Sequence, residues 1–164
     1  IGQSYSLFTP LQLAEYCATI ANGGTRHSAS ILKSVRSYDG SELIYENQAE
    51  VLSAVETSDY NWAAVQKGMY LVANDRAGSA YETFGDYGVK VAAKTGTAQL
   101  GDNQVNNAIF ICYAPYDNPK VAVAVVEHGS AGASIASIAR DFLDAYFTVK
   151  TVDTAPESEL SLLQ

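Results

Sequence analysis

Lys94-Thr95-Gly96-Thr97 sets a cation, two hydroxyls and a glycine in four consecutive positions, and Gln99 follows two residues later. That combination suits an anion. The lysine supplies charge, the hydroxyls supply directed hydrogen bonds, and Gly96 lets the backbone of another molecule come close. Just upstream, Val89, Val91 and Ala93 alternate with Lys90, Ala92 and Lys94, the period of two that marks a strand. The pattern ends a strand at Lys94 and puts that lysine on the face opposite Val91 and Ala93. Three letters, Lys-Thr-Gly, are a short signal, so their meaning depends on what surrounds them.

A second candidate, Ser30-Ile31-Leu32-Lys33, has the Ser-x-x-Lys spacing in which a lysine can activate a serine nucleophile. The chemistry needs both side chains within hydrogen-bond reach, as one helical turn provides. The flanking residues instead alternate like a strand, where positions three apart point to opposite faces. A solvated strand residue and its neighbour is the favoured reading. His27 and His128, the two histidines of the chain, have no partner three or four residues away and no cysteine nearby, so they read as structural or surface residues. Asp75, Glu82 and Asp86 lie in a glycine-bearing polar stretch and read as a solvated loop. Glu127-His128-Gly129 reads as a strand-end turn. Cys17 and Cys112 each sit in apolar runs and are expected in the core. No metal or cofactor is implied.

The elements that must hold these residues follow from local chemistry. Thr9-Pro10-Leu11-Gln12 is a helix start, with Thr9 as N-cap, Pro10 in the first position and Gln12 closing a capping box. Leu13, Tyr16, Cys17, Ile20 and Ala21 share a face of that helix, and Asn22-Gly23-Gly24 ends it. Two alternating runs, Ile31 to Tyr38 and Glu42 to Tyr45, flank Asp39-Gly40 as in a hairpin. Thr57 or Ser58 caps a second helix whose stripe is Trp62, Val65, Met69 and Ala73. Asn74 to Gly88 reads as a loop. Ala108 to Ala114 and Val121 to Val126 are apolar enough for buried strands, joined by a turn at Pro115 to Pro119. Ile135, Ile138, Ala139, Phe142 and Tyr146 form the stripe of a last helix, and residues 151–164 read as a disordered tail. The expected fold class is α+β, with three consecutive antiparallel strands and helices packed on them.

Composition narrows the function. With 164 residues, 48% hydrophobic and 17% charged, the chain can bury a core as one domain. A formal charge of −8 and a pI near 4.6 disfavour a nucleic-acid binder, which needs lysine and arginine against phosphate. No apolar run reaches the ~18 residues of a membrane span.

Taken together, the landmarks resemble a known family. Ile1-Gly2-Gln3, Thr9-Pro10-Leu11-Gln12-Leu13-Ala14, Asn22-Gly23-Gly24, Lys94-Thr95-Gly96-Thr97-Ala98-Gln99 and Ala114-Pro115-Tyr116-Asp117-Asn118-Pro119 occur in the order and rough spacing of class B penicillin-binding proteins. The resemblance runs from Ile1 to about Phe147. The lysine triplet is shared with serine β-lactamases, whereas its combination with the other motifs is far more specific.

The resemblance implies a C-terminal part of a D,D-transpeptidase domain, residues 1–150, of the penicillin-binding-protein and serine β-lactamase fold. The parent would cross-link peptidoglycan stem peptides and be acylated by β-lactams. Lys94 would polarise the serine of a Ser-x-Asn motif and support proton transfer to the leaving nitrogen. Thr95 and Thr97 would face a carboxylate, the Thr97 N–H would form half of an oxyanion hole, Gly96 would leave room for substrate, and Gln99 would join them in binding it. No Ser-x-Asn occurs in the chain, so the nucleophile, its lysine and that motif are expected upstream of Ile1, and the chain alone is expected to be inactive. Asn103, Asn106 and Asn107 fall where the family's substrate-bordering loop lies. Members commonly carry an aromatic residue near Ile109 and a glycine at Ser4.

The parent is expected to be membrane-anchored with this domain outside the cytoplasmic membrane, and the chain itself soluble. Strands that would pair with Val121–Val126 precede the nucleophile in the family, so a homo-oligomer or domain swap through that edge is expected. Two other readings stay open: a serine β-lactamase or β-lactam sensor of the same fold, and a non-catalytic binding or assembly module in which Lys94 is a surface lysine.

Overall fold

The computed structural model describes residues 7–99, 106–129 and 135–152. Helix α1, Pro10–Ala21, begins at the capping box: the Thr9 hydroxyl accepts from the Gln12 N–H at 3.2 Å, and the Gln12 side chain accepts from the Thr9 N–H at 2.9 Å. Asn22 closes the helix, its Oδ1 accepting from the backbone of Gly24 and Thr25. Four short strands follow: β1 Thr25–His27, β2 Ser34–Arg36, β3 Leu43–Glu46 and β4 Val51–Ala54. They nest. β2 pairs with β3 across the Asp39-Gly40 turn, and β1 pairs with β4 outside them.

Helix α2, Asp59–Asn74, starts at Ser58, whose hydroxyl accepts from the Asn61 N–H at 3.3 Å. A one-turn helix, α3, covers Tyr81–Phe84. Then come β5 Ala92–Ala98, β6 Asn107–Ala114 and β7 Val121–Glu127, a consecutive antiparallel sheet in the order β5-β6-β7. Helix α4, Ile135–Val152, completes the described chain. Its last turn takes in residues 151 and 152, and residues 153–164 of the expected tail lie outside the described residues, as do Ile1-Gly2-Gln3 and Ser4.

The sheet has a core on each face, because alternate residues of a strand point opposite ways. Phe110, Cys112 and Ala114 of β6 join Ala93, Phe84, Ala139 and Leu143 on the face covered by α3 and α4. Ile111 and Tyr113 join Ala92, Cys17, Ile20 and Met69 on the face covered by α1 and α2. The α+β class and the antiparallel meander stand as expected from sequence.

Several local expectations are corrected. Residues 74–88 contain α3, and its Phe84 is buried and stacked on Phe110 with ring centroids 5.9 Å apart. On α4 the buried stripe is Ile135, Ala136, Ala139 and Leu143, while Ile138 and Phe142 are exposed. Val65 of α2 and Tyr16 of α1 are likewise exposed. β7 is only half-buried, with Val123 its one buried residue, because among the described residues no strand covers its outer edge. The Ser30 to Lys33 stretch is not strand but a bend before β2.

Candidate active site

Lys94-Thr95-Gly96-Thr97 lies inside β5, not beyond its end. In register, Lys94 is opposite Ile111, Thr95 opposite Phe110, Gly96 opposite Ile109 and Thr97 opposite Ala108. β6 therefore fills one edge of β5, and among the described residues no strand occupies the other. The alternation of the strand separates the side chains. Lys94 follows Ala92 onto the α1–α2 face, and Thr95 follows Ala93 onto the α3–α4 face. A ligand lying along the open edge would thus have the ammonium on one side and hydroxyls on the other.

Lys94 is exposed, and its ammonium donates to the Thr95 carbonyl. Glycine at 96 is not demanded by the chain's own packing. A Cβ there would meet only Ile109, at 3.5 Å, and the backbone does not adopt a positive φ. The expected departure at 109 therefore sits directly behind Gly96, where Ile109 is half-buried between Gly96 and Val126. Gln99 is exposed just after β5.

A contact that spacing alone did not reveal meets Thr95. Ser79, in the turn between α2 and α3, places its hydroxyl 2.9 Å from the Thr95 hydroxyl. The pair is 16 residues apart, so no local periodicity joins them. Only a Ser in a Gly-Ser-Ala turn shortly before the lysine strand could have pointed there. The turn is itself held. Asn74 donates from Nδ2 to the Val91 carbonyl just before β5, at 2.7 Å, and Arg140 of α4 donates to the Thr83 carbonyl of α3, at 2.6 Å. Arg140 also reaches Asp86 at 3.3 Å and lies over the Tyr87 ring. Burial, then a hydrogen bond to Asp144, pushes the Tyr87 hydroxyl up to about 12, so it stays a neutral donor that ties α4 to the same segment.

The other candidates are not gathered around this edge. The Ser30 hydroxyl turns on its own loop, accepting from the Leu32 N–H and facing the Leu32 carbonyl, each at 3.2 Å. Asp75 accepts from the Ala77 N–H and Asp86 pairs with Arg140, leaving no cluster with exposed Glu82. Among the described residues no three His, Cys, Asp or Glu side chains are placed to hold a metal ion. His128 Nδ1 lies 2.6 Å from Asn107 Oδ1, which also accepts from the Gly129 N–H at 3.1 Å. That Asn closes the turn after β7 beside the end of β5. Asn106 precedes β6, and Asn103 lies outside the described residues. Tyr113 is buried, and Tyr116 in the turn after β6 stacks on it and meets the Tyr70 ring at a tilt.

Residues 1–144 match the penicillin binding protein transpeptidase domain. The peptidoglycan D,D-transpeptidase MrdA of Haemophilus influenzae is 33% identical over 89% of this chain and 25% of its own length. Penicillin-binding protein 2B of Streptococcus pneumoniae strain R6 superposes with a TM-score of 0.74 and 34% identity over 87% of this chain and 25% of that one. Penicillin-binding protein A of M. tuberculosis, solved as an imipenem acyl-enzyme complex, gives 0.73 and 32% identity over 90% of this chain and 32% of that one. The chain spans about a quarter of the length of the curated relatives it matches, 23% and 25% for two of them. No described helix is long and apolar enough to cross a membrane. The match over residues 1–144, with relatives above 30% identity over most of the chain, shows that the chain belongs to the penicillin-binding protein transpeptidase domain family.

Proposed function

We propose that this chain is the C-terminal part of a peptidoglycan D,D-transpeptidase domain and supplies the substrate-lining strand of its active site. The observation that carries the reading is the open edge of β5, where Lys94, Thr95, Gly96 and Thr97 succeed one another. A peptide stem or a β-lactam would lie along this edge as an added strand does, taking direction from the backbone and specificity from the flanking side chains. The Lys94 ammonium, freed from the Thr95 carbonyl, would hold the serine of the second motif and assist proton transfer to the leaving nitrogen. The Thr95 carbonyl is within reach of the exposed Lys94 ammonium, which supports its facing the open edge. Residues two apart in a strand point their backbone groups the same way, so the Thr97 N–H would face that edge too and contribute to an oxyanion hole. Thr95 and Thr97 hydroxyls would bind the substrate carboxylate, with Gln99 bordering it. The lack of any internal demand for glycine at 96 supports a reserved approach path for the ligand.

The nucleophile belongs to sequence outside this chain in this reading, and the Ser30 loop geometry supports that. The parent would sit outside the cytoplasmic membrane on an anchor. Labelling with a fluorescent penicillin tests the proposal directly, on this chain and on a longer form that restores the domain. Only the longer form is expected to be labelled. Labelling of the chain alone would place a nucleophile among its own serines, and labelling of neither would leave the family likeness as one of fold.

The outer edge of β7 also has no strand on it among the described residues. Unpaired N–H and C=O groups there invite another strand. We infer that the isolated chain pairs through this edge with a second copy, and a monomer by static light scattering at high concentration would count against it.

A further inference from the structure

We infer that Ser79 is a positioning residue for the carboxylate-binding hydroxyl of Thr95, an inference that rests on the transpeptidase reading of β5. The two oxygens are 2.9 Å apart, and each hydroxyl carries one proton and two acceptor sites. If Ser79 donates to Thr95, the Thr95 proton is left to point elsewhere. An anionic ligand at the β5 edge selects that arrangement, because a carboxylate can only accept. Ser79 then fixes the Thr95 rotamer and directs its proton, acting through Thr95 without touching the ligand. As a β-branched residue, Thr95 has few rotamers to choose among, so one outside bond suffices to hold it.

Ser79 can do this because its backbone has little freedom. The Gly78 N–H donates to the Asp75 carbonyl at 2.8 Å and the Ala80 N–H to the Val72 carbonyl at 3.0 Å. Ala80 is buried beneath the turn. A Cβ at Gly78 would stand 2.3 Å from the Val72 oxygen, so the close seat of this turn on α2 is open to glycine alone. The Asn74 bond to Val91 then references the same helix end to the start of β5. Ser79 and Thr95 are two points on one framework.

The experiment uses the longer form that carries the restored domain and compares the second-order rate of acylation by a penicillin with that by the same penicillin esterified at its carboxylate. Ser79→Ala is expected to slow acylation by the free acid about fivefold, the range set by one neutral hydrogen bond. It should leave the ester rate and the melting temperature unchanged. Ser79→Thr should restore the acid rate, and in a Thr95→Val background Ser79→Ala should cost nothing more. Equal losses for acid and ester would mean a merely structural role and overturn the inference. So would an unchanged acid rate in Ser79→Ala while the wild type is acylated. If the wild type itself is not acylated by either compound, the transpeptidase reading fails and takes this inference with it.

Discussion

β6 and β3 both carry runs of apolar residues, Ile109 to Tyr113 and Leu43 to Tyr45, yet the sheet and the β2–β3 hairpin are held in different ways. Between Ala108 and Ala114 every residue except Ile109 is buried, with a core on each face of the sheet. In β2 and β3 every residue is exposed, including Val35, Leu43, Ile44 and Tyr45. Register in β6 is set by burial, since a slip of one residue would exchange the two cores. Register in the hairpin is set by its turn. Asp39 accepts from the hydroxyls of Ser37 and Ser41 at 2.5 Å and 2.8 Å, and Gly40 takes a φ of 73°. The contrast separates a sheet whose two cores fix the strand carrying Lys94 from a hairpin that only local chemistry shapes.

The largest expected effect lies in the sheet. Phe110→Ala removes a fully buried ring that lies opposite Thr95 and stacks on Phe84. It is expected to lower unfolding stability by about 3–5 kcal/mol in denaturant titration. Ile44→Ala, a similar truncation on exposed β3, should change stability by about 0.5 kcal/mol or less. Comparable losses at the two sites would mean that the hairpin is covered in solution. The smallest effect concerns the turn itself. The hydroxyls of Ser37 and Ser41, and then the Ser41 N–H, lower the Asp39 pKa to about 2. A folded-state value below the unfolded one means that the ionised carboxylate favours the ordered turn. Its contribution is therefore complete above about pH 4 and lost as the pH falls through about 2. The Ser41 amide resonance should titrate with a midpoint near the lower value, and a midpoint near 4 would show that these bonds do not persist.

What was legible in the sequence follows the same division. Caps are local chemistry, so Thr9, Gln12 and Asn22 could be read directly and the structure bears them out, while of the two candidates Thr57 and Ser58 it is Ser58 that caps α2. The strands β6 and β7 and the turn between them were equally plain. The α4 face was not, because two apolar stripes share the helical period. Ala136 and Leu143 face the sheet while Ile138 and Phe142 do not, and only the position of the sheet decides between them. α3 escaped notice because one turn is too short for periodicity. At the candidate site, the lysine triplet and its strand were visible, though the strand runs on through Ala98. Ser79 was not visible, since its meeting with Thr95 is a product of tertiary placement.

The two cysteines give this layered construction a timekeeping property. Cys112 faces the α3–α4 core and Cys17 the α1–α2 core, both as free, buried thiols. Burial pushes Cys17 up to about 12 and raises Cys112 as well, so near neutral pH neither carries appreciable thiolate, the form that reacts. Each thiol is therefore silent toward an alkylating probe until its own layer opens. Their two modification rates are separate clocks for the two faces of the sheet. Matching rates would describe layers that part together, and unequal rates would name the one that lets go first.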